Sequence, residues 1–382
     1  MKYKFETKTI GDCCDIIKES IHPEKGQFYT CFSLPAFDNS NTPEILNGEE
    51  IKSSKFVLDE NTILFNKLNP KFRRVWNIHS LEKYENTICS TEFLPLKAKA
   101  NIEQDYLYYY VSSPYFTRLM DGIRTGTSNS QQRIDWKQFL REPINVPSLP
   151  IQRKAVSLLR NIDKKIELNN AINNNLEQQA QAIFKSWFID FEPFSNRKPS
   201  EWSVSTLGNV SIMGAGGDKP QNVSPIKTDL YEYPIYSNGL SNKGLYGFTD
   251  KPKISEESVT VSARGTIGFA CLRHIPYVPI VRLVTLIPKT EIVSAKYLYL
   301  WLKQLHITGT GTTQQQLTVP DFQKTEILVP SQKIVTLFTA TVEPIFEKIW
   351  ANQNENEKLS SLRDTLLPKL MSGELDVSDT DL

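Results

Sequence analysis

The chain has 382 residues, of which 40% are hydrophobic and 23% are charged. This length predicts two or three domains, and the composition is typical of a soluble globular protein. The 44 basic residues are balanced by 43 acidic ones, which excludes a polybasic protein that coats nucleic acid through charge alone. We expect no membrane span and no secretory signal. The five cysteines fit no metal-ligand spacing, so we expect reduced thiols in a cytoplasmic protein.

In chain order, regions of mixed secondary structure alternate with helical ones. The predicted domains are a first mixed domain (residues 1–148), a central helical spacer (149–199), a second mixed domain (200–330) and a C-terminal helical region with the tail (331–382). Short apolar runs separated by turn-forming residues predict strands in the mixed domains, and aromatic-rich stretches predict short helices. The strands are predicted at residues 55–58, 62–65 and 258–261, and the helices at 106–111 and 297–302. The predicted class is α+β.

The most informative pattern is an internal repeat. Motifs of the first half return in the same order in the second half. The offset between matched motifs only decreases along the chain, from 197 to 183 residues. Small deletions in surface loops explain this drift, because loops tolerate changes of length. The matched segments are 9–12 with 206–209, 62–66 with 258–262, 106–108 with 297–299, 126–128 with 311–313, and 146–148 with 329–331. We interpret the chain as a tandem duplication.

The helical regions carry the spacing of a coiled-coil seam. Residues 152–192 contain no Gly or Pro, and seam positions recur at intervals of four and three residues. We expect the two helices to pair as an antiparallel coiled coil with pseudo-two-fold symmetry, the second helix beginning at Pro344. The seam residues are Ile162, Ile166, Asn169, Asn173, Leu176 and Ile183 in the first copy, and Ile345, Ile349, Asn352, Asn356, Leu359 and Leu366 in the second.

Asparagine occupies four of these seam positions, where an apolar side chain would stabilise a helix pair more. A buried asparagine can fix the partner and the register of a helix pair at some loss of stability. Alternatively, the helices face several partners and leave the asparagines half exposed. The sequence favours neither interpretation over the other.

No catalytic motif is complete in the sequence. Residues 69–72 (NPKF) are similar to the Asn-Pro-Pro-aromatic loop of adenine methyltransferases, but Lys71 replaces the second proline and no glycine-rich cofactor loop accompanies it. Residues 214–217 (GAGG) lack the GxGxxG spacing, so we predict a loop there. The four histidines are isolated from one another. We therefore predict that this chain has no catalytic residue, no metal ligand and no cofactor.

Several segments resemble the specificity subunits of type I restriction–modification systems, and together they cover nearly the whole chain. Residues 149–154, 162–169 and 184–191 are similar to the central conserved region of that family. Residues 365–375 are similar to its C-terminal region, and residues 262–268 (SARGTIG) to a segment of its target-recognition domains. The first copy departs from this target-recognition segment, because residues 66–69 read NKLN where residues 262–265 read SARG.

The resemblance implies two target-recognition domains, each reading half of a bipartite, asymmetric target in double-stranded DNA, with the helical regions setting the gap. It also implies docking of two methyltransferase subunits, which carry S-adenosylmethionine and methylate adenine, and of two translocating nuclease subunits, which use ATP and Mg²⁺. The alternatives are a self-sufficient DNA-modifying enzyme and a coiled-coil scaffold that does not bind DNA.

Candidate DNA contacts follow from the side chains that read base edges in the major groove, which are Arg, Lys, Asn and Gln. They cluster after strand-like runs and in two polar Gly-Thr segments at matching positions, and Arg264 and residues 314–316 are the strongest single candidates. The first copy supplies Lys67, Lys71, Arg73, Arg74, Arg124, Thr127, Asn129, Gln131, Gln132 and Arg133. The second supplies Lys219, Asn238, Asn242, Lys243, Arg264, Arg273, Thr312, Thr313, Gln314, Gln315 and Gln316. Trp187 and Phe188, near a helix end, are predicted to dock a partner subunit.

Overall fold

The computed structural model describes residues 5–125, 132–305, 307 and 316–377. The chain divides into two compact units. The first unit comprises residues 1–169 and 353–382, and the second comprises residues 170–352. Each unit therefore contains one mixed domain together with a part of each long helix. In the part of the chain that the structure describes, no helix is long and apolar enough to cross a membrane.

The first mixed domain is built from three sheets and five short helices, all within its described residues. Its strands are β1 (Glu6–Thr9), β2 (Cys14–Ile16), β3 (Ser20–Ile21), β4 (Phe28–Phe32), β5 (Glu44–Asn47), β6 (Lys55–Val57), β7 (Thr62–Asn66), β8 (Val75–Ile78), β9 (Thr87–Ser90), β10 (Phe93–Ala98) and β11 (Pro143–Val146). Its helices are α1 (Ile10–Cys13), α2 (Leu34–Ser40), α3 (Gln104–Val111), α4 (Pro114–Gly122) and α5 (Trp136–Arg141), followed by the long helix α6 (Leu149–Phe188).

One of the three sheets of this domain contains a fully buried strand. An antiparallel sheet in the order β2-β10-β7-β8 lies at the centre, and every residue of β7 is buried. A strand buried on both faces reads as a continuous apolar run, which is why TILF in the sequence predicts it. A second sheet has the order β3-β6-β9-β4-β5, and β1 pairs with β11.

The second mixed domain repeats the central part of this plan. Its strands are β12 (Ser203–Thr206), β13 (Ser211–Ala215), β14 (Tyr233–Tyr236), β15 (Leu245–Thr249), β16 (Ser258–Val261), β17 (Ala270–Arg273), β18 (Val278–Pro279), β19 (Val284–Pro288) and β20 (Glu326–Val329). Its helices are α7 (Leu207–Val210), α8 (Ala295–Leu302) and α9 (Val319–Phe322), followed by the long helix α10 (Gln332–Ser372). The sheets have the orders β13-β19-β16-β17, β15-β14-β18 and β12-β20.

Equivalent hydrogen bonds mark the duplication in three dimensions. The Tyr106 hydroxyl on α3 donates to the carbonyl of Asn145, over 2.8 Å. In the second unit the matching Tyr297 hydroxyl on α8 donates to the carbonyl of Leu328, over 2.7 Å. Both tyrosines are fully buried, so each holds its short helix against the last strand of its domain. The predicted α+β class is confirmed for both domains.

In the first unit the two long helices pack antiparallel. The Asn169 amide of α6 donates to Asn356 Oδ1 of α10 over 2.9 Å, and Arg363 of α10 donates to Asp163 of α6 over 2.8 Å. Residue numbers along α10 rise while those of their partners along α6 fall, so the two helices run antiparallel. Asn169 is 1% exposed. This burial favours the interpretation in which asparagines set the register.

The second unit has its own antiparallel contact between α6 and α10. The Asn352 amide donates to Asn173 Oδ1 over 2.9 Å, and the rings of Phe184 and Phe338 lie 5.9 Å apart. Both asparagines are buried. None of the predicted seam residues in either unit is exposed.

Two local predictions are wrong. Helix α10 begins at Gln332, so that Pro344 lies inside it. Pro344 and Ala340 are both exposed, and water can therefore satisfy the Ala340 carbonyl that the proline leaves without a donor. Residues 214 and 215 belong to β13 and pair with β19 instead of forming a loop.

Candidate nucleic-acid interface

In the first unit, the loop between β7 and β8 is joined to the segment that follows residues 126–131. The Ile134 amide donates to the Lys67 carbonyl over 3.0 Å, and the Asn69 amide donates to the Gln132 carbonyl over 2.8 Å. The buried Asn66 side chain accepts from the Leu68 amide over 2.9 Å and so shapes the start of the loop. The β7–β8 loop (residues 67–74) and residues 132–134 are therefore brought together, although they are far apart in sequence.

The charges on this surface fall into two groups. Arg74 forms a bidentate ion pair with Asp38, with both contacts at 2.7 Å, and Arg133 forms a bidentate pair with Glu92. This pairing raises the pKa of Arg133 and offsets its charge locally. Among the described residues, Lys67 and Lys71 have no ion pair with a carboxylate. These two lysines remain available to phosphates or bases.

Phe72 lies between these charges and is 48% exposed. The Arg74 guanidinium lies 4.7 Å from the centre of its ring, and Lys71 Nζ lies 5.0 Å from it. Phe72 is not among the DNA contacts predicted from the sequence. The signal that could have found it is an aromatic side chain inside a run of basic residues, because aromatic rings stack on bases and support cations.

Arg73 and Arg124 have partners of their own. Arg73 lies 3.6 Å from Asp364 and donates to the Ser112 carbonyl over 3.3 Å. Arg124 pairs with Asp121 on the preceding turn. Both arginines are exposed, and surface pairs of this kind contribute about 0–1 kcal/mol. They can therefore exchange a carboxylate for a phosphate.

The second unit repeats the same junction with different side chains. The Leu317 amide donates to the Ala263 carbonyl over 3.0 Å, which is the counterpart of the bond between Ile134 and Lys67. Arg264 donates from two nitrogens to Gln316 Oε1, at 3.1 and 2.8 Å. The β16–β17 loop (residues 262–269) and residues 316–317 are thus brought together. Because its partner is a neutral amide, Arg264 keeps its full positive charge.

The Asn238 side chain holds the β16–β17 loop through hydrogen bonds to two backbone groups. Its Oδ1 accepts from the Ala263 amide over 2.7 Å, and its Nδ2 donates to the Val281 carbonyl over 2.6 Å. Gly268 turns the loop with φ of 87°, and a Cβ there would lie 2.9 Å from Ile307. Asn238 therefore positions the loop that carries Arg264.

Arg273 is a correction to the predicted set of DNA contacts. It is 5% exposed, and its guanidinium lies 3.5 Å from the centre of the Tyr236 ring. It donates to Thr260 Oγ1 over 2.9 Å and to the Lys243 carbonyl over 2.7 Å. These contacts use the guanidinium inside the domain, where no base can reach it. Arg273 supports the turn at Lys243.

Other predicted contacts of the second unit lie on its surface. Asn242 and Lys243 are exposed in a turn with positive φ, at 47° and 53°. Lys219 is exposed, and its Nζ lies 6.0 Å from the centre of the Tyr246 ring. The predicted contacts outside the described residues are Thr127, Asn129, Gln131, Thr312, Thr313, Gln314 and Gln315.

Phe188 is a second correction. It is 5% exposed, and its ring lies 4.8 Å from that of Phe338 and 4.9 Å from that of Tyr297. It belongs to the core of the second unit and so cannot anchor a partner. Trp187 is half-buried, with its ring 5.7 Å from that of Phe338. Most of its contacts therefore serve its own unit.

In the residues described, no group of three or more His, Cys, Asp or Glu side chains could hold a metal ion. All five cysteines are buried free thiols. Burial raises the pKa of Cys14 to about 12 and that of Cys13 to about 11, so these thiols stay protonated at neutral pH. The two loop junctions present hydrogen-bond donors and positive charge, which suit recognition of DNA.

A family model described as the type I restriction modification DNA specificity domain matches residues 2–178 and 199–360. The two matches cover both mixed domains and parts of both long helices, in agreement with the duplication. These folds and surfaces define a class of DNA-binding proteins with two recognition domains and a helical spacer. The chain belongs to the family of type I restriction–modification DNA specificity proteins.

Curated relatives carry the same description. The chain is 26% identical to the type I restriction enzyme HindI specificity subunit of Haemophilus influenzae, covering 90% of this chain and 96% of the relative. It is 27% identical to the MjaIX specificity subunit of Methanocaldococcus jannaschii, covering 74% and 71%. The crystal structure of a type I restriction–modification S subunit from M. genitalium has a TM-score of 0.52 at 17% identity, covering 98% and 97%, and it shows a shared fold.

Proposed function

We propose that this chain selects a bipartite, asymmetric DNA sequence, with one half-site read by each mixed domain. The observation that carries the proposal is the repeated loop junction. Each domain joins the loop after its central buried strand to a polar segment from elsewhere in the chain. The framework of the two junctions is the same, but the side chains differ, with Lys67, Lys71 and Phe72 in one and Arg264 and Gln316 in the other. Two different sets of side chains on the same backbone framework recognise two different half-sites.

The chain acts without catalytic residues of its own, and methyl transfer and cleavage belong to partner subunits. Two methyltransferase subunits that hold S-adenosylmethionine and two nuclease–translocase subunits that use ATP and Mg²⁺ complete the complex on DNA in the cytoplasm. Support comes from family membership and from the exposed apolar residues of the long helices, such as Leu168 of α6 and Leu362 of α10. An exposed leucine on a helix offers contact area to a partner subunit.

The test is to express the chain together with the methyltransferase encoded beside it and to map adenine methylation across the genome. We expect an asymmetric bipartite motif that is absent when this chain is omitted. Lys324→Ala serves as a control, because Lys324 is exposed and belongs to neither loop junction, so its loss should leave the motif unchanged. Methylation of the same motif without this chain would contradict the proposal. Methylation or cleavage by the purified chain alone would support a self-sufficient enzyme instead.

The long helices are proposed to set the gap between the half-sites. Inserting four residues into α6 within residues 169–175 adds about 6 Å of helix. That length corresponds to about two base pairs of DNA at 3.4 Å each. We expect the gap in the methylated motif to lengthen while both half-sites stay the same. An active variant with an unchanged gap would show that the helices do not measure it.

A further inference from the structure

An ion pair between a buried carboxylate and an exposed arginine joins the first mixed domain to helix α6. Asp105, on α3, has a side chain that is 3% exposed, and it pairs with Arg160 of α6. His79 Nε2 lies 3.0 Å from Asp105 Oδ1, and the Asn77 amide donates to the same carboxylate. Burial and the positive charge of Arg160 lower the pKa of His79. In this unit the domain supplies the anion and the helix supplies the cation.

The second unit has an ion pair of the opposite sense, between a buried lysine and a partly exposed glutamate. Lys296, on α8, has a side chain that is 4% exposed, and its Nζ lies 3.0 Å from Glu343 of α10. A second carboxylate, Glu257, lies 2.8 Å from the same Nζ, and the Trp350 ring lies 5.3 Å from it. Here the domain supplies the cation and the helix supplies the anion.

The two pairs occupy equivalent positions of the repeat. Asp105 and Lys296 directly precede the matched tyrosines Tyr106 and Tyr297. Arg160 and Glu343 are separated by the same 183 residues as the matched motifs 146–148 and 329–331. Both members of the pair are therefore reversed in sign between the two copies.

We propose that these reversed ion pairs match each mixed domain to its own helix when the duplicated chain folds. The two copies share the tyrosine on the short helix and the start of the long helix, so the start of each long helix offers a similar surface to both domains. A crossed arrangement would place Asp105 against Glu343, or Lys296 against Arg160. Like charges repel one another, and the buried Asp105 and Lys296 would each lose the opposite charge that its helix supplies. The correct arrangement is the one in which each helix supplies that opposite charge.

The sign of each ion pair can be reversed while the pair itself is kept. The variant D105K/R160E keeps an ion pair in the first unit but gives both units a cationic domain and an anionic helix. The variant K296D/E343R gives both units the opposite sense. In each case we expect the native yield after dilution from urea to fall by about half or more, because two packings of similar energy then compete.

The control is the variant D105K/R160E/K296D/E343R in the full chain. It contains every substitution of the two double variants but restores opposite signs in the two units. We expect its native yield, measured by size-exclusion chromatography and circular dichroism, to exceed that of both double variants. Equal yields for the double and quadruple variants, whether high or low, would show that the pairs only stabilise each unit and would overturn the proposal.

Discussion

In the first mixed domain the loop after the central strand presents Lys67, Lys71 and an exposed Phe72, whereas in the second mixed domain the equivalent loop presents Arg264 held by Gln316. The backbone bond that joins each loop to its neighbouring segment is the same in both domains. The surrounding sheets also differ, with the order β3-β6-β9-β4-β5 in one and β15-β14-β18 in the other. Duplication has thus kept the framework and varied the surface that faces a ligand.

The contact between each domain and its helices also differs. The second unit packs aromatic side chains there, among them Phe184, Phe188 and Phe338. At the equivalent positions of the repeat, the first unit has Leu367, Met371 and Ala155, which are buried in its own core. At these three positions the contact is therefore made by large rings in the second unit and by smaller side chains in the first.

Replacement of Phe338 by alanine should have the largest effect on this difference. Phe338 is fully buried and contacts Phe184, Phe188 and Trp187, so Phe338→Ala is expected to destabilise the second unit by about 3–5 kcal/mol. Urea unfolding measures the change. Leu337→Ala, at the exposed neighbouring position, is the control and should change stability by less than about 0.5 kcal/mol. A similar loss in both variants would mean that the rings do not carry the stability.

A smaller effect is expected for the buried asparagine pair of the second unit. Asn352→Ala leaves Asn173 Oδ1 buried without its hydrogen-bond donor, which costs about 1–3 kcal/mol. The double variant N173L/N352L removes both polar groups and should regain most of this loss. Urea unfolding of the single and double variants distinguishes the two effects. If the double variant is less stable than the single one, the asparagine pair stabilises the helices directly instead of setting their register.

The smallest effect concerns pH. Burial and the neighbouring cations Lys243, Lys296 and Arg273 lower the pKa of His274 to about 4. The unfolded chain therefore binds the proton more readily, and stability should fall as the pH is lowered from about 6.5 towards 4. His274 is exposed, which limits the effect to less than about 1 kcal/mol. Melting temperatures at pH 7 and pH 5 measure it, with His274→Phe as a variant that keeps a ring against Trp350. An equal pH dependence in that variant would exclude His274 as the cause.

The sequence predicts the parts of the fold that repeat or follow a local period. The helical spacing identified the seam residues, and the structure brings Asn169 and Asn173 against Asn356 and Asn352. The matched tyrosines indicate the duplication from the sequence alone. A helix period and a repeat offset are properties of the chain itself, so they can be read without knowledge of tertiary contacts.

The errors depend on contacts between residues far apart in sequence. Arg273 has the chemistry of a base reader, but Tyr236 and the Lys243 carbonyl hold it inside the domain. Phe188 resembles an interface anchor because it lies near a helix end, yet Tyr297 and Phe338 cover it. Side-chain type therefore predicts what a residue can bind, while tertiary packing decides whether it is accessible.

The central claim is that each mixed domain reads its own half of the target, and one variant tests it directly. Arg264→Ala removes a guanidinium that could donate two hydrogen bonds to a guanine. Such a contact is worth about 1–3 kcal/mol of discrimination against other bases. Genome-wide adenine methylation should then show relaxed specificity at one half-site while the other half-site and the gap remain unchanged. Equal relaxation at both half-sites, or a motif identical to that of the unmodified chain, would contradict the account.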